Sequence, residues 1–110
     1  MQSLTAALIG VALSTAASAD LPAPDYSFVS GDDLYDALSQ DSFVLQGYTL
    51  GVTDALKHSA NPAECFTIPL QPDADQVIYS SYLAYWSERS VRPDNAVEAI
   101  TEMMRSQFSC

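Results

Sequence analysis

From Ser30 onward the apolar positions fall into four runs spaced by three and four residues, the period of an amphipathic α-helix. Ser30 and Asp33 form an N-cap pair ahead of Leu34, Tyr35, Ala37 and Leu38, which predicts a short first helix. Asp41 is then expected to cap a second helix over Ser42 to His58. Its core stripe would be Val44, Leu45, Tyr48, Val52, Ala55 and Leu56, with Gln46, Thr49, Thr53 and Lys57 turned to water. A third helix is expected from about Pro72 to Ser87, with proline in a permitted first-turn position and Asp73 and Asp75 favourable to the dipole. Ile78, Tyr79, Tyr82, Leu83, Tyr85 and Trp86 share one broad arc of it, opposite Gln76, Ser80 and Ser87. The fourth is expected to open at Pro93 and end near Arg105. Ala96, Val97, Ala99, Ile100, Met103, Met104 and then Phe108 make its apolar face, and Asp94, Glu98, Thr101, Glu102 and Arg105 its polar one. The pattern predicts a small, single-domain, all-α protein of four helices.

The residues before Ser30 have a different character. Leu4 to Ala19 carry no charge but fall short of the roughly 20 apolar residues that cross a bilayer. A short apolar core from Leu4 to Val11, small residues after it, and Ala17-Ser18-Ala19 ahead of Asp20 match an export signal with its cleavage site. Residues 1–19 are therefore expected to be removed, 20–29 to form an extended lead-in around Pro22 and Pro24, and 30–110 to fold. Membrane insertion is not expected.

Charge narrows the partners. Fourteen Asp and Glu face four Lys and Arg in 110 residues, a net charge of -10. Nucleic-acid binding needs a basic stripe to displace counterions, and Lys57, Arg89, Arg92 and Arg105 supply none. Cys65 and Cys110 are the only cysteines, and in an exported chain an even count without metal-type spacing favours a disulfide. A catalytic thiol is the rival reading, with His58, the one histidine, as its base. A structural zinc site would lack a fourth ligand without a carboxylate. No cofactor is indicated.

Three features invite a functional reading. Gly47 and Gly51, one turn apart, each cost a helix about 1 kcal/mol relative to alanine, so close approach of another segment is expected there. Asp54 and His58 are also one turn apart and are read as a surface pair. An acid/base dyad is the sharper alternative, but the local sequence offers it neither a nucleophile nor a Gly-rich oxyanion loop. The aromatic arc of the third helix exceeds what one core stripe needs. Its exposed part, at Tyr79, Tyr85 and Trp86 with Glu88 at the rim, is the expected partner surface, because Tyr and Trp bury large rigid areas while keeping a polar tip hydrated.

The succession LYDAL, SFVLQGYTLGVTDAL, CFTIPL, DQVIYSSYLAYW and NAVEAITEMMRSQFSC resembles the Rap/Tai family of periplasmic immunity proteins, whose fold is similar to that of the HdeA acid-stress chaperone. The resemblance spans about Ser30 to Cys110. It rests on Gly47-Tyr48 with Gly51-Val52 and Asp54, on Cys65 to Pro69, on Tyr82-Leu83, and on a terminal aromatic followed by Cys110. One departure is plain: Leu38 and Val44 stand near where many members carry a further cysteine pair. The resemblance implies a periplasmic, non-enzymatic inhibitor, often homodimeric. It would dock on a peptidoglycan-cleaving amidase delivered by type VI secretion and occlude its active site. An acidic surface would suit a basic toxin. The alternative it carries is an HdeA-like chaperone released by acid.

Overall fold

The computed structural model describes residues 28–62 and 64–110, and the expected signal peptide and most of the lead-in lie outside them. Four helices follow one another: α1 (Gly31–Ser39), α2 (Phe43–Lys57), α3 (Ala74–Ser87) and α4 (Ala96–Gln107). No strand occurs among the described residues, only an isolated antiparallel bridge between Phe66 and Ser109. The chain is all-α, with the disulfide in place.

Each start has a local cause. The Ser30 hydroxyl accepts from the Asp33 amide at 3.0 Å while the Asp33 carboxylate accepts from the Ser30 amide, a full capping box on α1. Ser42, not Asp41, caps α2, accepting from the Leu45 amide at 3.3 Å. Asp41 sits instead at φ 57°, the left-handed turn residue that ends α1, and an N-cap requires extended backbone. The third helix starts two residues later than expected. Asp73 precedes it without capping, its carboxylate accepting from the Gln71 side-chain Nε2 at 2.7 Å. Asn95 caps α4, accepting from the Val97 and Glu98 amides, so Pro93 lies outside that helix, with its carbonyl accepting from the Gly31 amide at 2.9 Å.

The core lies around α4, which packs on all three other helices. Leu34, Leu38, Ile78, Tyr82, Trp86, Ala96, Ala99, Ile100, Met103 and Met104 are buried together, with Phe66 and Phe108 closing one end. Beside those two phenylalanines Cys65 and Cys110 form the disulfide, with Cα atoms 5.5 Å apart. The Cys110 amide donates to the Cys65 carbonyl at 3.1 Å and the Thr67 amide to the Phe108 carbonyl at 2.8 Å, tying the chain after α4 to the α2–α3 connection.

The second helix is rotated from its expected setting. Val44 is 79% exposed and Ala55 is exposed, while Thr49 and Thr53 are buried. The threonine hydroxyls donate to the carbonyls one turn back, Thr49 to Leu45 at 2.7 Å and Thr53 to Thr49 at 2.8 Å. With the polar atom satisfied inside the helix, each presents a β-branched methyl to the core. Thr101 does the same toward Val97 and is buried, while Val97 is exposed, again the reverse of the expected order.

Candidate functional site

The aromatic arc of α3 divides between core and surface. Trp86 is 2% exposed and Tyr79 6%, so neither belongs to the expected partner surface. Trp86 Nε1 donates to the Ala99 carbonyl at 3.2 Å and the Tyr82 hydroxyl to the Gly31 carbonyl at 2.8 Å. These polar tips find acceptors inside the fold and have no need of water. Burial raises the pKa of the Tyr82 hydroxyl strongly. Arg92 opposes it, while the charge of Asp32 and, to a lesser degree, the neighbouring Tyr48 push the same way as burial.

Tyr85 and Glu88 remain at the surface. Tyr85 is half-buried, its ring edge-on to Trp86 at 4.9 Å, and its hydroxyl donates to Glu102 at 2.8 Å. That bond, with lesser contributions from burial and the Glu102 charge, raises its pKa. The Arg89 guanidinium lies 3.7 Å from the ring centroid and donates to the Tyr85 carbonyl at 2.6 Å. Tyr85, Glu88 and Arg89 border a groove of about 610 Å³ that runs along α3 past Gln76 and Ser80 to Gln107. Its lining is polar and apolar in about equal parts, more polar than the lining usual for a small-molecule site.

The outer face of α2 is the other open surface. Beyond the adjoining backbone of α2 itself, nothing among the described residues lies within 4 Å of a Cβ built at Gly47 or Gly51, so the expected close approach does not occur there. It occurs at Gly31, where a Cβ would stand 2.7 Å from the Pro93 carbonyl oxygen and 3.3 Å from Ala99 Cβ. Phe43, 85% exposed, and Val44 lead into the glycine ridge, with Tyr48 half-buried at its side. The helix presents an apolar, low-relief face held from behind by Leu45, Thr49, Val52, Thr53 and Leu56.

Asp54 and His58 are both exposed, and no hydrogen bond or ion pair joins their side chains. The surface pairing is thus not made. Asp54 lies at the mouth of a hollow between α2 and α3, with Lys57 and Asp75. Both cysteines are oxidised, so neither offers a thiol. Among the described residues no three His, Cys, Asp or Glu gather to hold a metal.

Sequence reasoning passed over Arg92. Its Nη1 pairs with Asp32 at 2.9 Å, its Nη2 donates to the Trp86 carbonyl at 3.0 Å, and its guanidinium lies 3.9 Å from the Tyr35 ring centroid. Nε is buried without a partner. Its place beside Pro93, in the connection between two helices, was the available signal: it stands where a loop must be fastened to a core. No family model, curated protein or solved structure matches this chain.

Proposed function

We propose that this chain is an exported contact protein of the Rap/Tai kind, which binds a peptidoglycan amidase delivered by type VI secretion and covers its catalytic cleft. The observation that carries the reading is the open face of α2. Phe43 and Val44 are exposed on a helix whose opposite face is anchored, beside two glycines that let a partner's backbone come close. An exposed apolar patch next to polar side chains suits docking better than turnover. The net charge of -10 favours a basic partner and would speed its encounter. The disulfide suits an oxidising compartment such as the periplasm. No helix of the described residues is long and apolar enough to cross a membrane. The groove at Tyr85 and Glu88, lined by α3 and the end of α4, would be a second and separate contact surface, and the α2 face would also serve a homodimer.

The test is inhibition of such amidases by the purified, oxidised chain. Stoichiometric inhibition should weaken with salt and be lost with Phe43→Asp or Val44→Asp. Absence of inhibition across a panel of these enzymes, or inhibition indifferent to both substitutions, refutes the reading.

The alternative, an HdeA-like acid-stress chaperone, is favoured by one observation. Three carboxylates tie separate parts of the fold: Asp32 to Arg92, Glu64 to Arg105 and Glu102 to Tyr85. These ties hold α1, the α2–α3 connection and α3 to the rest of the fold, and an acid-released chaperone must loosen such ties to expose apolar surface. Protection of aggregating proteins at low pH, without amidase inhibition at neutral pH, would select it.

A further inference from the structure

The hollow between α2 and α3 has a volume of about 170 Å³ and two chemically distinct levels. Ile78 and Thr53 are buried at its base, with Leu50, Ile68 and Ala74 half-buried around them. The Thr53 hydroxyl is already given to the Thr49 carbonyl, so the base offers apolar surface and no unsatisfied donor from that side chain. The mouth is formed by Asp54, Asp75 and Lys57, all exposed.

The volume decides the class of occupant. Small-molecule pockets usually run from about 300 to 1,000 Å³, and this hollow is smaller than that range. It suits one side chain. An apolar base beneath two carboxylates matches the amphipathic side chains of lysine and arginine, whose methylene stem seeks apolar surface while the charged head stays near water. Neither Asp54 nor Asp75 is in an ion pair, since the only two pairs among the described residues are Asp32–Arg92 and Glu64–Arg105. Lys57 at the mouth leaves an excess of one negative charge there.

A second copy of this chain offers only Lys57 for the hollow, and that side chain already lines the mouth of its own hollow. Arg92 and Arg105 are held in those two pairs, and Arg89 is bonded to the Tyr85 carbonyl and stacked on its ring. We propose that the hollow is an anchor pocket for one lysine or arginine side chain of a different protein, with Leu50, Ile68 and Ile78 receiving the stem and Asp54 and Asp75 the cationic head. This deepens the contact-protein reading by giving the partner a point of attachment beside the exposed face of α2.

The pocket can be tested without any protein partner. Butylguanidinium and butylammonium serve as side-chain probes and butanol as the neutral control, followed by amide and methyl NMR on the oxidised chain. The cations should produce saturable shifts centred on Leu50, Ile68 and Ile78, and butanol should bind about fivefold more weakly or worse, as expected where exposed charge pairs contribute up to about 1 kcal/mol each. Asp54→Asn with Asp75→Asn should weaken cation binding by a similar factor, and Ala74→Leu, which fills the hollow, should abolish the localised shifts. Absence of saturation, equal binding of butanol, shifts scattered over the acidic surface, or indifference to the double substitution overturns the proposal. Localised cation binding with no amidase inhibition would leave the pocket standing and remove the amidase reading; the converse result would do the reverse.

Discussion

Replacing three helical glycines by alanine separates local propensity from tertiary packing, because the structure assigns them opposite signs. Helix propensity alone makes Gly31→Ala, Gly47→Ala and Gly51→Ala all stabilising, by about 0.5–1 kcal/mol at the interior positions 47 and 51 and by less at Gly31, the first residue of α1. At Gly47 and Gly51 nothing described beyond the adjoining backbone of α2 stands within 4 Å of the new methyl, so that gain should be realised. At Gly31 the methyl would meet the Pro93 carbonyl oxygen at 2.7 Å, Arg92 Cβ at 3.1 Å and Ala99 Cβ at 3.3 Å. The nearest atom is backbone and cannot rotate aside. Moving it strains the 2.9 Å bond from the Gly31 amide, and the Tyr82 hydroxyl bonded to the Gly31 carbonyl must follow. Overpacking costs about 1–3 kcal/mol and a compromised buried hydrogen bond about 1–3 more, so the penalty exceeds the propensity gain.

Urea unfolding of the oxidised chain, followed by circular dichroism, measures all three. The midpoint should fall by an amount worth about 2–4 kcal/mol for Gly31→Ala and rise slightly for the other two, with unchanged slopes. A Gly31→Ala protein as stable as the parent would show that the α1–α4 contact yields freely. A loss at Gly47 or Gly51 would show that another segment covers the ridge, and with it the free face of α2 would disappear.

Breaking the disulfide by Cys65→Ser with Cys110→Ser should cost about 4 kcal/mol in the chain-entropy model for a loop of this length, read as a lower urea midpoint; an unchanged midpoint would mean the bridge contributes nothing to the fold. Arg92→Ala should cost about 2–4 kcal/mol, since it removes a charged hydrogen bond to the Trp86 carbonyl, a ring contact and an ion pair, and Arg92→Lys should recover less than half of it because the planar fork is lost. Equal stability of the alanine and lysine variants would support that account only if both are destabilised. Burial holds the Tyr82 pKa far above its ordinary 10.0, so the fold favours the neutral phenol. Its contribution is complete below the unfolded value near pH 10 and is lost as pH rises toward the folded one, at about 1.4 kcal/mol per pH unit, a slope that Tyr82→Phe should reduce in alkaline denaturation curves.

Much of the architecture was legible because its signals are local. The Ser30–Asp33 box, the apolar faces around Leu34 and Ile100, and the pairing of two isolated cysteines each depend on few residues and little context. The rotation of α2 was not legible, because a threonine counts as polar until its hydroxyl has closed on its own helix; only then do Thr49 and Thr53 outrank Val44 as core residues. The fate of the aromatics was hidden for a different reason. Counted along α3 alone they are too many for one stripe, yet Gly31, Ala96 and Ala99 on two other helices make the space and the carbonyl acceptors that Tyr82 and Trp86 require. Val44 therefore lies exposed where the pattern promised core, and Tyr79 and Trp86 of the expected surface lie in the core.

The small number of basic side chains completes the physical picture. Arg92 fastens the α3–α4 connection to α1, Arg105 holds Glu64 in the α2–α3 connection near the disulfide, and Arg89 covers Tyr85. These three arginines are engaged where a loop or ring must be held, and Lys57 alone stands outside such contacts, which leaves the excess of carboxylates facing outward with little internal neutralisation. Such a field acts over roughly the Debye length, about 8 Å at physiological salt, and is nearly blind to shape. The exposed Phe43–Val44 face and the hollow beside Asp54 act only on contact and depend on shape. On the proposed reading, attraction of a basic partner and its retention would reside in different parts of this molecule: the first in a charge spread over the whole domain, the second in the exposed face of α2, set by two threonines buried behind it, and in the hollow α2 forms with α3.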